Sequence, residues 1–162
     1  MEDLTIKKKD LLLAIIAELK EARDKAAQAA DAAKATATDS ENVAENKYDT
    51  LGLEAAYLAH GQSDRILQLE EDIRTFEELE IKESNKVELG ALIELAGDSG
   101  ETTFVFLGPS AGGFKISHGS RSIQIITPAA PLGKLLMGAE IDDEVNLELG
   151  RETRSFLVVS IA

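Results

Sequence analysis

The chain has no cysteine and no tryptophan, and only three prolines and two histidines. Without cysteine there are no disulfides, no thiolate zinc sites and no thiol nucleophile. His60 and His118 are too few for a histidine-rich metal centre, and neither has an identifiable triad partner in the sequence. Positive charge is also scarce: 17 Lys and Arg stand against 30 Asp and Glu, a formal charge of −13. The acidity is spread over both halves and argues against independent DNA or RNA binding, which needs clustered Lys and Arg. A basic partner surface is the better match. The one basic run, Lys7 to Lys9, reads as a solvated helix start. Long apolar runs are missing too. Leu11 to Ala17 is too short to span a bilayer and lies inside a charged amphipathic segment, so no membrane partner is expected. The start, with Glu2 and Asp3 ahead of the lysines, lacks a secretory-signal layout, which makes a cytoplasmic location the expectation.

An apolar content of 44% over 162 residues is enough for one ordinary domain or two small ones. Two are expected, residues 1–81 and 82–162. From about Leu4 to Ala37 there is no Pro or Gly, and Leu12, Ile15, Leu19, Ala22, Ala26, Ala29 and Ala33 recur at steps of three and four. That is a heptad seam. A second helical pattern, from Val43 or Asp49 to about Leu79, carries Leu51, Ala55, Leu58, Leu69, Ile73 and Phe76 on one stripe. Antiparallel pairing would place Ile15 by Ile73, Leu19 by Leu69, Ala29 by Leu58 and Ala33 by Ala55. Gln62 and Arg65 fall on the same stripe as a polar pair that can pin the register. Gly61 suggests a bend or a close contact, because glycine costs about 1 kcal/mol against alanine in a helix interior. The rise of an α-helix makes this a rod on the order of 40 to 45 Å long, thin where its seam turns to alanine.

After Glu80 the period changes from helix to strand. Val87–Ala96, Thr102–Leu107, Phe114–Ser117, Ser122–Ile126, Glu144–Leu149 and Ser155–Ile161 read as strands between turn signals. Pro131 to Met137, closed by Gly138, reads as a short helix. The fold class is therefore α+β: an N-terminal antiparallel two-helix coiled coil and a small, mainly antiparallel β domain with one short helix.

The chemistry concentrates between the two helical patterns, in Thr36–Thr50, where Asp39, Glu41, Glu45 and Asp49 gather as the chain reverses. Residue type alone also allows plain helix capping there, by Asp39 or Ser40 for one turn and Asp49 or Thr50 for the next. Gly108–Gly113 lacks the Gly-Lys-Ser/Thr of a phosphate loop. Asp142 and Asp143 suit a tight turn better than a metal site. His118, beside Gly119 and Ser120, reads as a hairpin residue.

Ala130 to Val145, APLGKLLMGAEIDDEV, resembles a characteristic segment of the GreA/GreB transcription elongation factors of bacteria. Lys86 to Ala91 is similar to that family's entry strand, Glu45-Asn46-Lys47-Tyr48 to its tip motif, and Arg65-Ile66 to a pair in its second helix. The resemblance spans nearly the whole chain. It implies a coiled coil joined to an FKBP-like domain that docks at the rim of the RNA polymerase secondary channel, here through Pro131, Leu132, Lys134 and Leu135. It further implies that the coil carries tip carboxylates inward to help bind the polymerase's second catalytic Mg²⁺ during cleavage of backtracked RNA. Such a protein is not itself an enzyme, binds no cofactor alone, shares Mg²⁺ with the polymerase, and meets the RNA 3′ end only inside that complex. Glu45 ranks first among the candidate acids, then Glu41 and Asp39, then Asp49. The family's Asp three residues before the Glu is replaced: Asn42 precedes Glu45 by three, and Asp39 precedes Glu41 by two. The alternative this opens is a channel-occupying regulator or competitor that does not stimulate cleavage. FKBP-like domains elsewhere isomerise Xaa-Pro bonds, but Phe104, Phe106, Phe114 and Phe156 are the only phenylalanines in the C-terminal half to line such a pocket, and core packing is expected to use most of them.

Overall fold

A computed structural model of the chain describes residues 4–38 and 51–162. Two long helices come first, α1 (Leu4–Thr38) and α2 (Leu51–Glu77). Strands β1 (Leu92–Gly97), β2 (Thr102–Leu107), β3 (Lys115–His118) and β4 (Arg121–Ile126) follow, then helix α3 (Pro131–Leu136) and strands β5 (Glu144–Leu149) and β6 (Glu152–Ile161). The expected α+β class is present. The chain gathers into two compact units, Ala17–Ile73 and Met1–Ile16 with Arg74–Ala162. The roots of both helices thus group with the sheet, whereas the expected division at 81 and 82 follows the change of secondary structure.

The helical unit buries Leu19, Ala26, Ala30 and Ala33 of α1 and Ala55, Ala59, Leu69 and Ile73 of α2. Among the described residues the unit holds two helices, and these buried positions form one stripe on each. The stripes differ in part from the expected seam. Leu11 and Ala30 are buried where Leu12 and Ala29 were expected, and Ala59 is buried while Leu58 is 54% exposed. Along α1 the apolar positions 11, 22 and 33, 15 and 26, and 19 and 30 repeat every eleven residues, and all but the half-buried Ala22 are buried. A straight helix drifts about 20° per heptad, so a strict seven-residue seam walks off the contact line and the next residue replaces it. Gln62 is half-buried and Arg65 exposed, so they do not form the expected polar pair. The polar side chain this unit buries is Asp72, whose Oδ1 accepts a hydrogen bond from Gln68 Nε2 at 3.0 Å.

Gly61 is exposed, and a Cβ there would meet nothing within 4 Å, so no close contact explains it. Gly61→Ala is expected to raise the unfolding free energy by about 1 kcal/mol through helix propensity alone. The check is a higher urea midpoint at unchanged m-value; a lower midpoint would mean that α2 needs glycine's freedom at this position.

The sheet has the order β3-β4-β2-β1-β6-β5. All neighbours are antiparallel except β2 and β4, which run parallel because β3 crosses over to the outer edge. Alternation assigns the two faces. On one, Ile93, Leu95, Val105, Leu107, Ile126 and Val158 share a core with Leu136 and Ala139 beneath α3. On the other, Phe106 stacks on Phe76 of α2, with ring centroids 6.3 Å apart. Residues 87–91, expected as strand, are not. Gly90 takes φ +90° and turns the chain, while the Val87 amide donates to Ala139 O at 2.8 Å.

The lysine run also departs from expectation. Lys7 and Lys9 are exposed, but Lys8 is only 2% exposed, and its Nζ donates to Lys82 O at 2.6 Å. Burial holds its pKa below the usual lysine value, against the pull of Glu88 and Glu83 in the other direction.

Candidate functional site

Two places carry the residues singled out above. The first is the acidic segment. Asp39, Glu41, Glu45 and Asp49 lie outside the described residues, between the end of α1 at Thr38 and the start of α2 at Leu51. The flanking helices are built for close approach, since every buried residue on their adjoining stretches, Ala26, Ala30, Ala33, Ala55 and Ala59, is alanine. Small side chains at a contact bring helix axes toward the near end of the usual interaxial range, about 8 Å. At about 1.5 Å per residue, the 35 residues of α1 extend roughly 50 Å. Leu53, Tyr57 and Leu58 in the first turns of α2 are more than half exposed.

The second place is α3. Pro131 occupies its first turn, where a missing N–H costs nothing, and the Met137 amide donates to Gly133 O at 3.0 Å to close it. Gly138, at φ +80°, then turns the chain. The helix divides its four candidate residues. Pro131 and Lys134 are exposed and Leu135 is 41% exposed, whereas Leu132 packs against the core beside the buried Leu136. Met137 and Ile141, at 44% and 50% exposure, are also exposed apolar residues in or just after α3 and were not candidates from the sequence. Nothing in the hydrophobic pattern distinguished them from core residues, because a six-residue helix offers too few turns for a periodic signal.

The remaining candidates have structural surroundings. Asp142 sits at φ +73°, and Asp143 Oδ2 accepts from the Glu140 amide at 2.8 Å, the hydrogen bonding of a tight turn. His118 ends β3 at a hairpin whose turn is Gly119-Ser120. His60 lies on the exposed side of α2, 3.7 Å from Asp64. Among the described residues no cluster of three or more His, Cys, Asp or Glu could hold a metal ion, and no helix is long and apolar enough to cross a membrane.

Solved structures of Gre-type transcription factors are similar to this chain. The crystal structure of Gfh1 from Thermus aquaticus is 21% identical, with 94% of this chain and 92% of that one covered and a TM-score of 0.39. GreA factor homolog 1 (Gfh1) of Thermus thermophilus is likewise 21% identical, covering 91% and 94%, with a TM-score of 0.38. The transcription elongation factor GreA/GreB from Nitrosomonas europaea is 15% identical over 67% of this chain and 91% of its own, with a TM-score of 0.37. No family model matches the chain, and no curated protein does.

Proposed function

We propose that the chain is a non-catalytic RNA polymerase regulator of the GreA/GreB type that acts through the secondary channel. The observation that carries this reading is the location of Asp39, Glu41, Glu45 and Asp49 in the segment joining two helices whose adjoining contact stripe is alanine throughout. The sequence resemblance of residues 130–145 and 86–91 supports it independently. In this reading a narrow helical pair delivers carboxylates to an active site owned by the polymerase, and the FKBP-like C-terminal unit docks at the channel rim. Lys134 and Leu135 make that contact, joined by Met137, while Leu132 acts from beneath by fixing α3 to the core.

The donor chemistry of residues 39–50, carboxylates with neither His nor Cys, fits a hard divalent cation such as Mg²⁺. When bound between polymerase and factor, that ion supplies stabilisation of the attacking and leaving oxygens of phosphodiester hydrolysis. The role of this chain's residues is to hold carboxylate oxygens at the ion, Glu45 first and Glu41 next, and to orient a water.

A backtracked elongation complex tests the proposal. Added protein is expected to raise transcript cleavage above the polymerase-alone rate, and the double substitution Glu41→Ala and Glu45→Ala is expected to abolish the increase while polymerase binding persists. Stimulation that survives the double substitution removes the tip assignment. One observation favours a second reading: Asn42 stands three residues before Glu45, where the family pattern has an acid. Binding without cleavage above background selects that reading, a channel-occupying competitor.

A further inference from the structure

On the sheet face opposite α3, within the unit of Met1–Ile16 and Arg74–Ala162, there is a cavity of about 430 Å³. Small-molecule sites run from roughly 300 to 1,000 Å³ and are mostly apolar with a few convergent polar groups. The apolar lining here is Leu92, Phe104 and Ile123 from the sheet, Leu11 from α1, and Ile161. The charge at this cavity runs against that of the chain. In a protein of formal charge −13, its lining residues include Lys7, Lys8 and Arg121 and one carboxylate residue, Glu94, the Lys8 ammonium being spent on Lys82 O. Glu94 is not idle, since its Oε2 accepts a hydrogen bond from Ser160 Oγ at 3.0 Å.

Arg121 is the distinctive element. Its guanidinium carbon stands 4.7 Å from the centroid of the Phe104 ring, so the charge is seated over the apolar floor. A guanidinium held over a ring face keeps its N–H edges for an anion in a planar fork, which an ammonium cannot offer. The tight Gly119-Ser120 turn, with Gly119 at φ +63°, brings the neighbouring main chain to the same rim.

We propose that this cavity binds a small anion attached to a flat apolar body, with Arg121 over Phe104 as the anion contact and Leu11, Leu92 and Ile123 covering the body. The proposal does not depend on polymerase binding.

The test uses the full chain and 1-naphthyl phosphate as probe, followed by amide NMR. Saturable shifts at Leu92, Gly119, Ser120 and Arg121 are expected. 1-Naphthol and inorganic phosphate should each bind at least about tenfold more weakly, a loss of about 1.4 kcal/mol. Arg121→Ala should weaken naphthyl phosphate by a similar factor and leave the amide spectrum away from the cavity unchanged. Arg121→Lys should recover only part of the loss, because the point charge lacks the fork. Equal binding of naphthol, shifts elsewhere on the surface, no saturation at millimolar probe, or an unaffected Arg121→Ala would each overturn the proposal.

Discussion

Phe76→Ala should lower the unfolding free energy of the sheet-containing unit by about 3–5 kcal/mol, the usual cost of deleting a fully buried aromatic side chain. Phe76 has no exposed surface, and its ring lies on Phe106 with an interplanar angle of 30°. Gly108 shows how closely the chain is packed around it: a Cβ there would stand 2.8 Å from both Phe76 Cζ and Ile125 Cγ2. Those distances leave no room for a methyl group while the phenyl ring is present. The cost therefore includes both the lost transfer energy and a cavity bounded by sheet residues that cannot collapse into it. Phe76→Leu, closer in volume, should cost under about 1.5 kcal/mol. A double-mutant cycle sharpens the test, because Gly108→Ala should be less harmful in the Phe76→Ala background, where one of its two close neighbours has gone. Additive effects in urea unfolding would show that Gly108 and Phe76 do not share that space.

Phe76 lies near the end of α2, inside the unit that contains the sheet. Its place on the apolar stripe was legible in the sequence, through its spacing from Leu69 and Ile73. Its partner was not, since strand alternation assigns Phe104 and Phe106 to a common face without saying what covers it. Both helices, most strand positions and the Pro131 helix were readable from period and turn residues, which are local signals. The departures came where one residue of offset decides the outcome. Leu11 replaces Leu12 through helical drift alone, and at Ala59 the same drift outweighs the preference of the larger Leu58 for burial. Lys8 was misread for a different reason. A charge run says nothing about a carbonyl positioned 74 residues along the chain to receive its ammonium. Of the candidate sites, the acidic segment is read from sequence, whereas the division of α3 into Lys134 and Leu135 outside and Leu132 inside depends on which side of the short helix meets the sheet core. The cationic cavity had no sequence signature, since its lining comes from α1, β1, β2, the β3–β4 hairpin and the end of the chain.

Gly133→Ala should be the most disruptive small substitution near α3, costing about 3 kcal/mol, the upper end of the usual range for overpacking. Gly133 is buried, and a Cβ there would run into the carbonyl oxygen of Thr127, with Pro128 Cα only 3.2 Å away. These are main-chain atoms, so no rotamer change relieves the overlap. The Thr127 oxygen is also committed, accepting the Ala130 amide at 3.1 Å, while Ala130 O accepts the Lys134 amide at 2.9 Å. Moving α3 outward therefore strains the turn that starts it and displaces Lys134 and Leu135 together. In thermal unfolding the variant should melt well below the parent. On the docking proposed above, at a temperature where it remains folded it should retain polymerase less well than Leu135→Ala does, because the whole of α3 shifts rather than one side chain. Parent-like melting would mean that α3 is free to lift from the turn, and parent-like retention would place the docking surface somewhere other than on this helix.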